Sequence, residues 1–305
     1  MGPLKRCLVF GLVPWVWSCG IWLDVDAPQC SSNQDCVALL GKDYTCSRSA
    51  GVCMAPRAQT MDAGPDIPDL PPEWDCLNDP PRTFTPDPDR MVRVRMDAVE
   101  LASLKPPSDL KVDVCNPSDY SCSSPVRDDV MPGPDGFVEL EVPHGFTGFL
   151  TFESPSTVPS VVYNNQPWLE NAQTSGPALA TQKSLDDIYE RAGRPTNVED
   201  VGLAILEIRN CKDGAGDGVS FDPIGEEQPF YFDGALPSRE ISATTSSNAL
   251  AARAEERAVG GFSNLPAGIR TFTARLEGTD VVVGRYTMNI RAKQVAYLRL
   301  YPQWR

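Results

Sequence analysis

From Trp74 onward, apolar and polar positions alternate with a period of two. Val92, Val94 and Met96 alternate with Arg93 and Arg95, and Val138, Leu140 and Val142 alternate with Glu139 and Glu141. Such a run sends one set of side chains to a core and the other to water, which predicts half-buried strands. Phe149 to Phe152 predicts the next strand, after the turn Pro143-His144-Gly145. A helical stretch then interrupts. Ser184 is its expected N-cap, Leu185, Ile188, Tyr189 and Ala192 share one face, and Gly193 with Pro195 ends it. Strands resume with Ala204, Leu206 and Ile208 on one face, Phe230 to Phe232, and Phe272, Ala274 and Leu276 between Thr273 and Arg275. Glu277-Gly278-Thr279-Asp280 turns the chain into Val281 to Ile290, and Ala296, Leu298 and Leu300 close the series. Asn248 to Arg257, rich in alanine and charge, suggests one or two helical turns in a loop. The pattern predicts a mainly β fold. Its expected parts are an Ig-like antiparallel sandwich over 74–176, a helical connector over 177–200 and a second sandwich over 201–305.

The N-terminal region follows other rules. Lys5 and Arg6 precede an apolar stretch from Cys7 to Trp17, too short for the about 20 residues that a spanning helix needs. This is the layout of a targeting segment over 1–18, removed before the fold matters. Val16-Trp17-Ser18-Cys19 resembles the lipobox of bacterial lipoproteins, although Trp17 is bulkier than the pattern favours. The resemblance implies cleavage after Ser18, diacylglyceryl transfer to the Cys19 thiol and further acylation. More than one acyl chain then anchors the protein stably to a lipid bilayer. Gly20 stands where an aspartate would favour inner-membrane retention, so the expected place is the outer membrane, on its periplasmic side or at the cell surface. Without Lys5 and Arg6 the formal charge goes from −14 to −16, which argues against nucleic acid as a partner.

Ten cysteines less Cys7 and Cys19 leave eight, an even number that suits disulfides in an exported chain. Cys30, Cys36, Cys46 and Cys53 crowd into one short segment of the tether and module over 19–54. So small a piece needs disulfides in place of a core, and its spacing leaves all pairings open. It resembles a small cysteine-rich module of bacterial surface proteins. A linker over 55–73 follows, with Pro56, Pro65, Pro68, Pro71 and Pro72 among Asp62, Asp66 and Asp69; such composition favours an extended spacer.

Two phrases suggest an internal repeat: Gly136-Phe137 leads to Pro143-His144-Gly145, and Gly261-Phe262 leads to Pro266-Ala267-Gly268. Each follows an expected strand that ends at or near a cysteine, Cys115 or Cys211. Gly218-Val219-Ser220-Phe221, the run from Gly261 to Gly268 and the closing Arg291 to Pro302 resemble the carboxypeptidase regulatory-like, transthyretin-like sandwich. Trp74-Asp75-Cys76-Leu77 and Val112 to Pro125 look like stretches of two-domain lipoproteins of that type. The resemblance implies non-catalytic accessory domains for folding, packing or adhesion. With it fits a pairing of Cys115 with Cys122 and of Cys76 with Cys211.

Signals for chemistry are few, and no enzyme is expected. His144, the single histidine, sits in a turn, and neither a GxSxG nor an HExxH motif accompanies it. The acidic pairs Asp128-Asp129, Asp186-Asp187 and Glu255-Glu256 read as solvated surface, with a carboxylate hydrolase the least favoured function. Asp213-Gly214-Ala215-Gly216-Asp217-Gly218 alternates acids with glycines, so Asp213 and Asp217 are candidates for calcium; a plain turn is the simpler account. Tyr163-Asn164-Asn165-Gln166-Pro167-Trp168 mixes rings with amides, which makes Trp168 a candidate for glycan binding beside the plainer account of a packed loop. Lys212 and Asn289 are of the types that join in an isopeptide bond. The expected function is a membrane-anchored structural or interaction protein of the cell envelope, without cofactor, with envelope proteins or glycans as possible partners. A glycan- or calcium-binding adhesion module is the alternative.

Overall fold

The computed structural model describes residues 34, 45–47, 52–54 and 70–304, less 108, 194–199, 235, 239 and 248–255. The targeting segment, Cys19, most of the cysteine-rich module and of the linker, and most of the Asn248–Arg257 stretch lie outside the described residues. The chain divides into two compact units, Met1–Pro68 and Asp69–Arg305. In the first, strands β1 (Thr45–Ser47) and β2 (Val52–Met54) pair antiparallel with Cys46 opposite Cys53.

The second unit is mainly β and is built as three layers. Its middle layer is one ten-stranded sheet. The half nearer the N-terminus supplies β4 (Lys111–Cys115), β5 (Arg127–Val130), β7 (Phe149–Glu153) and β8 (Ser160–Asn164). The other half supplies β10 (Val201–Ile208), β12 (Phe230–Asp233), β13 (Leu236–Ser238), β14 (Ser246–Ser247), β15 (Arg257–Pro266) and β18 (Val295–Leu300). The halves meet where β18 lies parallel to β8, with Ala296 opposite Val161 and Leu298 opposite Tyr163.

Two three-stranded sheets cover this layer on opposite faces. One is β6 (Phe137–His144), β3 (Asp87–Glu100) and β9 (Ala172–Leu179); the other is β11 (Val219–Phe221), β16 (Gly268–Leu276) and β17 (Val282–Ile290). The faces are assigned by residue alternation. On β7 and β8, Leu150, Phe152 and Val162 pack against Val92, Val94, Val138 and Leu140 of the first cover sheet. Their neighbours Phe149, Val161 and Tyr163 join Phe272, Ala274, Met288 and Ile290 of the second. Two sandwiches therefore share one sheet and project from opposite sides of it. Three ladders are parallel, β10 with β18, β18 with β8 and β3 with β9, and the rest are antiparallel.

This plan explains the two hydrophobic patterns. β3 and β6 have one wet face and alternate, whereas Val201 to Ile208 is almost wholly buried because β10 is covered on both sides. The open face of β10, β15 and β18 is closed by the helix α1 (Gln182–Ala192), whose Leu185, Ile188, Tyr189 and Ala192 pack on Leu203, Ile205, Val259 and Val295. Thr181 caps it by accepting the Ser184 N–H, so the helix begins before the expected Ser184, and Gly193 ends it in the left-handed region at φ 70°. Both edges of the large sheet are blunted. β13 carries Pro237, and β5 is short, acidic and bent by Asp129 at φ 49°.

The suggested repeat maps onto equivalent strands. Gly136-Phe137 enters β6, antiparallel to β3, which lies parallel to β9. Gly261-Phe262 lies within β15, antiparallel to β10, which lies parallel to β18, with the cover and shared sheets exchanging roles between the two sandwiches. The segment after the linker packs away from the sandwich it precedes. Trp74, 2 % exposed in a 3-10 helix over Pro72–Asn78, belongs to the core beneath β10 and β18. Phe84 meets Trp304 edge-on at 6.0 Å. Disulfides join Cys76 to Cys211, 135 residues apart, and Cys115 to Cys122.

Candidate functional site: a buried carboxylate among three arginines

The outward face of β10 continues Leu203 and Ile205 with Glu207, a carboxylate 9 % exposed. A buried carboxylate is tolerated only where charge and hydrogen bonds replace water. Three guanidinium groups do so. Arg209 donates from Nε to Oε1 at 2.8 Å, Arg257 from Nη1 to Oε2 at 3.1 Å, and Arg299 approaches Oε1 at 3.3 Å. Burial pushes the Glu207 carboxyl up, but Arg299, Arg257 and Arg209 together outweigh it and hold it down at about 2. The converse pressure raises Arg299, where burial opposes the charge and Glu207 favours it.

The cluster ties the halves together. Arg299 also donates to the Thr174 hydroxyl at 2.8 Å and to the Ser175 carbonyl at 3.0 Å, both on β9. Tyr297, on the same face of β18, donates its hydroxyl to the Ala178 carbonyl. The outer edge of β9 is thus closed by side chains of the shared sheet and not by another strand.

Beside the cluster lies a cleft of about 780 Å³. Its walls are β9 at Gln173 to Ser175, the turn Asp213–Ala215, the C-terminal Arg299 and Tyr301, and Asp97, Phe137, Arg209 and Glu256. Arg95 stacks over the Phe137 ring at 4.0 Å. The Tyr301 backbone is clasped by Asn165, which accepts its N–H at 2.8 Å and donates to its carbonyl at 2.9 Å.

Of the sequence-derived candidates, Asp213 and Glu256 line this cleft; the others fall elsewhere or serve the fold. In the Asp213–Gly218 loop the carbonyls face protein donors: Arg209 takes Asp213 O at 3.1 Å, Asn210 takes Ala215 O at 2.9 Å and Thr244 takes Gly216 O at 2.7 Å. The Asn210 side chain also accepts the Lys212 and Gly214 N–H groups, so the loop wraps an amide where a cation was considered. Asp217 lies at the surface; partial desolvation of its carboxyl raises it against the lowering by a Ser246 N–H, with Glu256 and Glu73 adding to the rise. Among the described residues, no group of three or more acidic, histidine or cysteine side chains is placed to hold a metal ion. Trp168 stacks on Phe146 at 5.8 Å, and each backbone N–H donates within that corner. Tyr163 is buried and donates to Asn289 O at 3.1 Å. Asn289 donates its amide to Tyr120 O and Lys212 sits in the turn after Cys211, on different elements. His144 ends β6 with Nδ1 buried and without a hydrogen-bond partner among the described residues. Asp129 pairs with Lys111 at 2.7 Å and Asp187 with Lys183 at 3.1 Å, both at the surface.

Glu207 and its arginines gave no local motif. The partners lie 2, 50 and 92 residues from Glu207, and only an acid inside the apolar run of β10 hints at them.

No family model matches the chain, and no curated protein matches it. Solved structures similar to part of it include the TIE protein of Bacillus anthracis, at 10 % identity over 69 % of this chain and a TM-score of 0.20. A point mutant of the shaft pilin SpaA of Lactobacillus rhamnosus GG is 10 % identical over 68 % of this chain and 97 % of its own, with a TM-score of 0.22. The minor pilin GBS52 of Streptococcus agalactiae is 7 % identical over 69 % of this chain and 94 % of its own, with a TM-score of 0.21. The matched part spans about a third (34 %) of the TIE protein.

Proposed function

We propose that this chain is a lipid-anchored, non-catalytic interaction protein of the cell envelope. The observation that carries the reading is the Cys76–Cys211 disulfide, which closes the second unit over 135 residues. Bonds of this kind persist in oxidising compartments, and with the lipobox at Val16 to Cys19 they favour export followed by acylation. No helix among the described residues is long and apolar enough to cross a membrane. In this reading Cys19 is the attachment, Gly20 directs the protein to the outer membrane, and the proline linker holds the β body off the lipid. The two sandwiches serve as carboxypeptidase regulatory-like accessory domains that present a surface to envelope proteins or glycans. The groups that chemistry would use support this role: Glu207 sits among arginines, and the Asp213–Gly218 carbonyls bond to the protein's own donors.

The test is metabolic labelling with palmitate followed by membrane fractionation. Label on the native chain, absent from Cys19→Ala together with release of that variant into the soluble fraction, supports the anchor. Equal label on both, or an unlabelled native chain in the soluble fraction, removes it.

A further inference from the structure

The cleft beside the arginine cluster has the make-up of a binding site for an uncharged sugar, and it takes in Asp213 and Glu256 from the acidic stretches of the sequence. Its volume, about 780 Å³, lies within the range of roughly 300–1,000 Å³ common for small-molecule sites. Sugar hydroxyls donate and accept at once, so a sugar site needs both carboxylates and fixed N–H donors. Asp97, Asp213 and Glu256 line the cleft with carboxylates, while the N–H groups of Arg209 and Arg299 are directed to Glu207, Asp213 O, Thr174 and Ser175 O. The Gln173 amide donates as well as accepts. Two rings stand in the lining, Tyr301 and Phe137 (one face of which Arg95 covers), where an aromatic face packs the apolar C–H side of a pyranose. The walls carry three carboxylates and two guanidiniums, the latter both paired with Glu207, so they hold no surplus of positive charge for a polyanion.

Rigidity supports the same conclusion. Arg209 and Arg299 are already held by Glu207, and Arg299 by Thr174 and Ser175 besides. Side chains ordered before the ligand arrives cost little entropy on binding. A second hollow, at Asp217, Glu240 and Glu277, has carboxylates but neither rings nor guanidiniums. Trp168 is already stacked on Phe146, so the ring that the sequence offered as a candidate is engaged elsewhere.

We propose that this cleft binds a neutral glycan through vicinal hydroxyls, with Asp213, Gln173 and Phe137 as ligand-touching residues. The inference rests on the reading of the protein as an interaction module, but not on its lipid anchor. The experiment is a glycan array with the full chain, then calorimetric titration of the best neutral oligosaccharide. Asp213→Asn retains a residue that tolerates the left-handed backbone at φ 63°, and is expected to weaken binding about tenfold, as is Phe137→Ala. Gln173→Ala, at an exposed position, is expected to weaken it about threefold without touching the fold. Trp168→Leu leaves affinity within about twofold while lowering the melting temperature. An array without neutral binders overturns the proposal, as does full affinity in all three cleft variants, or loss of binding in Trp168→Leu alone. Failure here with palmitate label intact at Cys19 would count against the cleft and not against the anchor.

Discussion

Two ion-pair networks among the described residues of the second unit use the same residue types to opposite ends. On the outer face of β3 and β6, Arg93 meets Glu141 at 3.3 Å and Arg95 meets Glu139 at 3.9 Å and also Asp135, all in contact with water. On β10, Glu207 meets Arg209, Arg257 and Arg299 with side chains 7–16 % exposed. Exposed pairs gain little, because water solvates the separated ions nearly as well, and typically contribute about 0–1 kcal/mol. Buried charges are costly to bring in and costlier to orphan. The first network keeps an edge soluble; the second holds three strands and β9 in one arrangement.

Removing Glu207 is the sharpest way to break the contrast. Glu207→Ala leaves three guanidinium groups facing a cavity, and a loss of about 3–5 kcal/mol is expected in urea unfolding. A loss below about 1 kcal/mol would mean that the cluster is as wet as the β3–β6 ladder. Acid gives the next largest effect. Because the folded Glu207 carboxyl is held at about 2, below its ordinary 4.5, its contribution is fully present above about pH 4.5 and is lost as pH falls towards 2. The loss is worth about 3 kcal/mol, and Glu207→Gln removes that share of the pH dependence, as unfolding midpoints between about pH 2 and 6 would show.

A smaller change tests the seal on β9. Tyr297→Phe deletes the hydroxyl that Ala178 O accepts, and is expected to cost about 1–2 kcal/mol by leaving a carbonyl without its donor. Faster amide exchange on β9 alone would confirm where the effect falls. Last comes Glu141→Gln, which touches Arg93 and Arg127 at the surface. It should change stability by less than about 1 kcal/mol, and about 1 M salt should erase the difference.

The contrast also separates what the sequence made legible from what it hid. β3, β6 and β16 each have one wet face, so Val92, Val138 and Phe272 announced them by alternation. α1 was legible from Leu185, Ile188, Tyr189, Ala192 and Gly193, though Thr181 took the cap expected of Ser184. The shared sheet was legible only as separate strands. Leu206 and Leu298 announced β10 and β18, but nothing local told of their assembly into one layer, because the parallel contact of β18 with β8 joins residues over 130 positions apart. The candidate site was hidden for the same reason. Arg257 and Arg299 look like ordinary surface cations until the strands are laid side by side. Trp168 stood as a glycan candidate beside the plainer account of a packed loop, because a ring beside amides gives no sign of which neighbour it packs on; here Phe146 takes it, and Tyr163 donates to Asn289 O.

The Cys76–Cys211 disulfide has a mechanical consequence. A pull on the chain from its N-terminal side enters the second unit just before Cys76. At that point the sulfur bridge carries the tension straight to Cys211, beneath the shared sheet. Everything between, including the whole first sandwich and α1, becomes a slack loop in parallel with a covalent bond. Under shear, those strands would stay folded and presentable while the tether bears the force; reducing the bridge would put them in series with it.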